Sequence, residues 1–261
     1  MKREDENIFN AGVFQLDIAS FDPKLLKSCL QSFLARPMPY KAQFLQKHYA
    51  YGFDGYSFLG QEDSTNQYQT DLLHSFVLSD FRAPRDFPAE FWPFFAQSWS
   101  ALQAQIRTLE RDLIRRLGFP ALADFYEANI GHMISCNYYP PTQDYNFTAE
   151  GNTRLSAHPD VSLFTIFPFG FDSDFYFQNT SGHWVNISPT DKIVLFPGYL
   201  LEYFSGGQIK ALYHCVKLPE DRCAERFSFA FFSLPYPQLS FSIRGEQTTS
   251  EAYFKRYLGL F

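Results

Sequence analysis

The sequence predicts a mainly β chain with flanking helices, an α+β fold in which helices come first and an antiparallel sheet follows. Three observations predict it. Apolar residues recur at helical spacing in the first half, and short runs broken by Gly, Pro, Asn and Asp take over from His132. Aromatic residues make up 19% of the 261 positions, with 31 Phe and 16 Tyr, and flat side chains in that number suit a sheet interior. The pattern of strands is that of a sandwich, jelly roll or small barrel. With 46% apolar residues the chain can bury one large core, and its length favours a single domain.

In chain order, Val13 to Ile18 alternates enough for a short strand. Asp22 as N-cap and Pro23 at the first helical position then open a helix whose stripe is Leu25, Leu26, Cys29, Leu30, Phe33 and Leu34. The stretch to about Ser79 is rich in Gly and Tyr and reads as irregular. A long helix is predicted from about Pro93 to Leu117, because Phe95, Trp99, Leu102, Ile106, Leu109 and Leu113 fall at spacings of three and four. Gly118 and Pro120 end it, and a shorter helix follows around Ala121 to Ala128. The segments HMISCNYY, SLFTIF, DFYFQN, HWVNI, KIVLFP, ALYHCVKL and RFSFAFFSL read as strands, and SEAYFKRYL as a terminal helix. The expected division is a helical and irregular portion over 1–130, a β core over 131–240 and a C-terminal helix over 241–261, all within one domain.

A net charge of -6 leaves no electrostatic footprint for nucleic acid, which needs clustered Lys and Arg. The basic group Arg107, Arg111, Arg115 and Arg116 interleaves with Glu110 and Asp112 and reads as a solvated helix face. Cys29, Cys136, Cys215 and Cys223 have no CxxC spacing and are expected to be free thiols. The start MKREDENIFN lacks the apolar region of a secretory signal, and no apolar run approaches the roughly 20 residues that span a bilayer. A soluble, cytoplasmic protein with no membrane or nucleic-acid partner is expected. The sequence implies no particular oligomeric state.

Chemistry enters with RLSAHPDVSLFTIFPFG. On a strand, His158 and Asp160 share one face, which makes a two-point metal clip. His214, in a later strand, is the third candidate ligand. Two histidines and one carboxylate form a facial triad that leaves open positions, the arrangement of non-haem Fe(II) oxygen chemistry. His183 beside Trp184 reads as a hairpin surface position, and His48, His74 and His132 as structural or pocket residues outside the strand set. Arg226 and Ser228, again two apart, put a guanidinium fork and a hydroxyl on one face, a carboxylate anchor. Asn137 and Tyr139 repeat the spacing. Polar pairs in otherwise apolar strands need a partner, and a shared ligand is the simplest one.

These elements resemble the isopenicillin N synthase-like family of Fe(II)- and 2-oxoglutarate-dependent oxygenases. The matching motifs keep the family's order: GYSFLGQE (Gly55 to Glu62), DLLHSF (Asp71 to Phe76), the long helix, NYYPP (Asn137 to Pro141), HPD (His158 to Asp160), WVNISP, LYHCV around His214, RFS (Arg226 to Ser228) and TTSEAYFKRYL. The resemblance implies a distorted double-stranded β-helix, or jelly roll, with the N-terminal helical segment packed on the sheet. It implies iron held by His158, Asp160 and His214, with 2-oxoglutarate chelating it and O2 as oxidant. The far carboxylate of the cosubstrate would meet Arg226 and Ser228, and Asn137 and Tyr139 match positions that also contact it. Departures are Pro159 where Thr is common, His74 where an acidic residue is common, a shorter N-terminal region, and a polar stretch from Thr142 to Arg154 after YYPP.

The implied reaction is hydroxylation, desaturation or ring closure of a small-molecule substrate, with O2 consumed and succinate and CO2 released. Two other readings stand beside it. One is an iron oxidase of the isopenicillin N synthase type, which needs no 2-oxoglutarate. The other is a non-catalytic jelly roll that binds a metal or a small acid. Expected substrate-pocket residues are Arg154, Tyr49, Tyr51, Tyr56, Phe164 and Tyr203, with Arg154 as the cation for an acidic substrate.

Overall fold

A computed structural model describes residues 12–19, 21–46, 53–59, 71–143, 153–172 and 174–260. The first helix, α1 (Lys24–Leu34), starts where expected: Asp22 Oδ1 accepts from the Lys24 amide at 2.9 Å, and Leu26, Cys29, Leu30 and Phe33 face inward. A short α2 (Met38–Lys41) follows. The predicted long helix is α3 (Trp92–Phe94), a π turn (Phe95–Trp99) and α4 (Ser100–Leu117), stopped by Gly118 at φ 70°, a left-handed conformation that suits glycine. Then come α5 (Pro120–Asn129), α6 (Tyr199–Phe204) and α7 (Ser250–Leu258).

Strands β1 (Phe14–Ala19), β2 (Gly55–Ser57), β3 (His74–Ser79), β4 (Ile130–Tyr139), β6 (Phe164–Phe167), β9 (Lys192–Pro197) and β11 (Arg226–Pro235) form one sheet in the order β1-β9-β6-β11-β4-β3-β2. Strands β5 (Thr153–His158), β7 (Phe175–Gln178), β8 (Trp184–Asn186) and β10 (His214–Lys217) form a second sheet in the order β5-β10-β7-β8. Ladders in both are antiparallel.

Strand alternation divides the interior in two. On β4 and β11, Ile134, Cys136, Phe229 and Phe231 turn outward to the helices, where Trp99 meets Phe231 at 5.7 Å between ring centroids. Phe33 of α1 packs on Phe76 and Tyr56 at 4.8 and 5.2 Å. The other face of the large sheet, with Tyr139, Val194, Phe196 and Ala230, packs on Phe175, Phe177 and Val216 of the small sheet. The metal-clip strand β5 lies on that inner side.

Two expectations need correction. The segment before Ser79 is not irregular among its described residues: β2 and β3 extend the large sheet through Phe76↔Cys136 and Tyr56↔Phe76 pairs. Gly and Ser have low strand propensity, so these strands form because a ten-residue β4 templates them. The region after 240 is also not helix alone. A hairpin, β12 (Ser240–Ile243) and β13 (Glu246–Thr249), precedes α7, turning on Arg244 and Gly245 at φ 54° and 82°.

Candidate metal centre

His158 ends β5 and His214 begins β10, and the two are direct partners in the ladder. Asp160 follows two residues after His158, in the turn leading to β6. A bulge between β5 and β10 accompanies the change of register next to these residues. One donor atom from each of the three residues lies within 4.8 Å of the others. His158 Nε2 is 3.6 Å from Asp160 Oδ1, and His214 Nε2 is 3.7 Å from Asp160 Oδ2. All three are buried.

Backbone carbonyls fix the tautomers. His158 Nδ1 donates to the Ser156 carbonyl at 2.7 Å and His214 Nδ1 to that of Leu212 at 3.1 Å. In each ring Nε2 is therefore the nitrogen left to face a metal, its other nitrogen being held by a carbonyl. Thr165 Oγ1 donates to Asp160 Oδ2 at 2.6 Å, which fixes the rotation of the carboxylate. Burial pushes the His214 ring down to about 4, so it is neutral at pH 7. Burial would raise Asp160, but the two imidazoles and the Thr165 hydroxyl outweigh it and hold the carboxyl below its usual range. Burial would lower the His158 ring, but Asp160 and the Ser156 carbonyl outweigh it and hold it above its usual range, so a cation binding there displaces a proton. Two imidazole nitrogens and an ionised carboxylate suit a divalent cation, so the donor set fits the iron that the sequence implies.

The second group of residues meets the first across a chamber of ≈120 Å³. In the β4–β11 ladder Arg226 lies opposite Tyr139, Ser228 opposite Asn137 and Ala230 opposite Ser135. Alternation sends all six side chains to one face, where they line the chamber together with His158, Asp160 and His214. Asn137 Oδ1 accepts from Ser135 Oγ at 2.8 Å. Arg226 is buried, with its guanidinium 5.0 Å from the Tyr139 ring centroid and its Nη1 without a hydrogen-bond partner. An unpaired buried guanidinium nitrogen facing a chamber is a binding point for an anion.

The remaining expected pocket residues lie elsewhere. Phe164 is in the main core, away from the chamber wall. Tyr56 is also core, with its hydroxyl 2.9 Å from His74 Nδ1. Tyr203 stacks with Tyr199 and Tyr253 beside α7. Arg154 is buried, and its Nη2 donates to the carbonyls of Pro140 and Ala224 at 3.2 and 2.5 Å. It ties the end of β4 to the turn before β11 and does not line the chamber, because these carbonyls hold its guanidinium there. Tyr49, Tyr51 and His48 lie outside the described residues.

His74 and His132 are not outside the strand set, since they lie in β3 and β4. Burial lowers His74 to about 4, and its ring stacks between Tyr56 and Tyr138. His132 Nε2 is 2.8 Å from Glu110 Oε2 in a buried pair behind the sheet, where the Tyr126 hydroxyl also donates to Glu110. His183 is exposed on the β7–β8 hairpin, as expected. The arginine-rich face of α4 carries a bidentate Arg111–Glu127 pair at 2.6 and 2.7 Å and an Arg115–Asp112 pair. Cys29, Cys136, Cys215 and Cys223 are free. Among the described residues no helix is long and apolar enough to cross a membrane.

Sequence reasoning missed Thr165 and Asp172. Thr165 is the one hydroxyl inside the apolar run FTIF, a signal of the same kind as the polar pairs. Asp172, whose Oδ1 accepts from Arg226 Nε at 2.7 Å, stands in FGFDSDF just after a glycine and a phenylalanine.

Comparison with known proteins agrees with this geometry. Residues 130–235, which hold all three triad residues and the β4–β11 ladder, match the model of the 2OG-Fe(II) oxygenase superfamily. Among solved structures, a full-length Neurospora crassa protein in complex with alpha-KG superposes with a TM-score of 0.74 at 19% identity, covering 98% of this chain and 88% of that one. The dioxygenase for auxin oxidation from rice gives 0.69 at 16% identity, over 99% and 89% of the two chains. Protein trichome birefringence-like 1 from Arabidopsis thaliana is 29% identical over 152 residues, 56% of this chain; the match spans 25% of that protein's length.

Proposed function

We propose that the protein is an Fe(II)- and 2-oxoglutarate-dependent oxygenase acting on a small molecule, a reading supported by the match of residues 130–235 to the 2OG-Fe(II) oxygenase superfamily. The observation that carries the reading is one chamber with a two-histidine, one-carboxylate donor set on one wall and a buried, unpaired Arg226 nitrogen with Ser228 on another. A 2-oxo dicarboxylate has one end for each wall.

His158, Asp160 and His214, whose donor atoms lie together at the chamber wall, would hold the metal. Iron bound there supplies the activation of O2 coupled to oxidative decarboxylation of the cosubstrate. Arg226 receives the distal carboxylate through its terminal nitrogens, and Ser228 adds a hydroxyl donor. Asn137 and Tyr139, on the facing strand, border the cosubstrate and fix its depth. Phe175 and Phe196, which pack on the His214 ring at 5.0 and 5.1 Å between centroids, keep water from the metal ligands. The Neurospora crassa protein also forms a complex with alpha-KG and thymine, and the rice protein is a dioxygenase for auxin oxidation; both support a small-molecule substrate here.

The test is turnover: protein loaded with Fe(II) and supplied with O2 and 2-oxoglutarate is expected to form succinate, and His214→Ala to form none. Oxygen uptake without succinate would instead favour the oxidase that needs no 2-oxoglutarate.

A further inference from the structure

Arg226 has a partner that does not line the chamber. Its Nε donates to Asp172 Oδ1 at 2.7 Å, while its Nη1 has no partner. The arginine side chain is 4% exposed and the aspartate side chain 47%. An ion pair with one half-solvated member adds little to folding stability, so what this contact fixes is geometry.

The backbone delivers Asp172 with little freedom. Strand β6 ends at Phe167, and its ladder with β11 covers Phe231 and Phe232 only, far short of Arg226. The stretch 168–172 runs along the gap, beside a cavity of ≈350 Å³ whose wall includes Asp172, Arg226 and Ser228. Gly170 has φ 78°, and a Cβ there would sit 2.3 Å from the Thr190 carbonyl oxygen, so only glycine lets the two backbones approach. Phe171 and Thr190 then exchange both backbone hydrogen bonds at 2.9 Å. The residue before Asp172 is pinned.

We infer that Asp172 is a positioning residue for the cosubstrate anchor, an inference that rests on the reading of Arg226 as that anchor. A guanidinium is a rigid plane with donors in a fixed fork. Holding Nε from the gap sets the orientation of that plane and leaves the terminal nitrogens for a second carboxylate. The distal end of 2-oxoglutarate then meets a fork already in place, with the Ser228 hydroxyl on the same face. Without Asp172 the side chain must be ordered during binding, and affinity falls.

The experiment is an anaerobic calorimetric titration of Fe(II)-loaded protein with 2-oxoglutarate and, separately, with pyruvate, which has the same 2-oxo acid group and no distal carboxylate. Asp172→Ala is expected to raise the Kd for 2-oxoglutarate about tenfold, the upper cost of ordering one long side chain on binding, and to leave pyruvate unchanged. Asp172→Asn, whose amide oxygen still accepts from Nε, is expected to stay within about threefold of wild type. Equal 2-oxoglutarate affinity in wild type and Asp172→Ala overturns the inference, and so does a matched loss for both acids, which marks general damage. Tighter 2-oxoglutarate binding by Asp172→Asn also overturns it, because Asp172 would then be a competitor for Arg226. Arg226→Ala separates the two levels: unchanged 2-oxoglutarate affinity in that variant removes the anchor itself.

Discussion

Which nitrogen each histidine offers is decided by a carbonyl two residues before it, Ser156 for His158 and Leu212 for His214. The carboxylate is fixed differently, by the Thr165 hydroxyl on Oδ2. Thr165→Val keeps the shape and removes that donor, so Fe(II) affinity is expected to fall roughly tenfold or more, the usual cost of losing an outer partner of a metal ligand. Competition with a colorimetric chelator measures it, and unchanged affinity would show that the turn alone orients Asp160. His158 and Asp160 meet because a turn follows β5, not by alternation along a strand. Placement that follows from strand spacing was legible in the sequence: Arg226 with Ser228 and Asn137 with Tyr139 are two apart on β11 and β4 and share the chamber face. Residues whose role depends on a contact between distant segments were not. Nothing local marks Asp172 as the partner of Arg226, and Arg154, read as a substrate cation, proved to be held by the carbonyls of Pro140 and Ala224.

The turn that carries Asp160 is held by elements from far along the chain. The Tyr199 amide donates to the Asp160 carbonyl at 2.7 Å, and Gly198 lies so close to Ser162 that a Cβ there would fall 2.1 Å from its carbonyl oxygen. From α7, Tyr257 donates to the Pro159 carbonyl at 2.8 Å and Tyr253 to that of Val161. The terminal helix thus clamps both sides of the ligand turn. Tyr257→Phe leaves the buried Pro159 carbonyl without this donor and is expected to cost about 1–3 kcal/mol in chemical denaturation, with faster amide exchange in 160–162. A stable variant with unchanged exchange would show that α6 suffices. Helices were readable because their apolar stripes and stop signals are local: α4 ends at Gly118 as its sequence implies. Strands β2 and β3 were not, since Gly, Tyr and Ser alternate weakly and pairing with β4 supplies their order. The β12–β13 hairpin was missed for a turn signal, Arg244-Gly245, that departs from the commoner Asn-Gly.

At the scale of the whole molecule, two sheets enclose the chamber while helices cover the outer face of the larger one. The pairing order β1-β9-β6-β11-β4-β3-β2 joins segments far apart in the chain, so it was not legible from periodicity; the resemblance to known oxygenases supplied the double-stranded β-helix. Stability carries a pH signature through Asp54, which is fully buried at the edge of the large sheet. Burial lifts its pKa from 3.8 to about 6, against the Ser79 hydroxyl on Oδ2 and the nearby Arg82. The folded state therefore binds this proton more tightly than the unfolded state. The contribution is fully present below about pH 4 and is lost as pH rises through 6, a swing of roughly 3 kcal/mol. Asp54→Asn is expected to be more stable than wild type at about pH 8, with the difference closing by about pH 4 in urea unfolding; a difference independent of pH would contradict this. The proposed chemistry needs the triad and Arg226 to hold iron and 2-oxoglutarate together. An anaerobic titration of the protein with Fe(II) and 2-oxoglutarate, following the metal-to-ligand charge-transfer absorbance, tests it most directly. A band is expected in wild type that weakens in Asp160→Ala and in Arg226→Ala, whereas bound iron that gives no band at any 2-oxoglutarate concentration would contradict a shared iron and cosubstrate site.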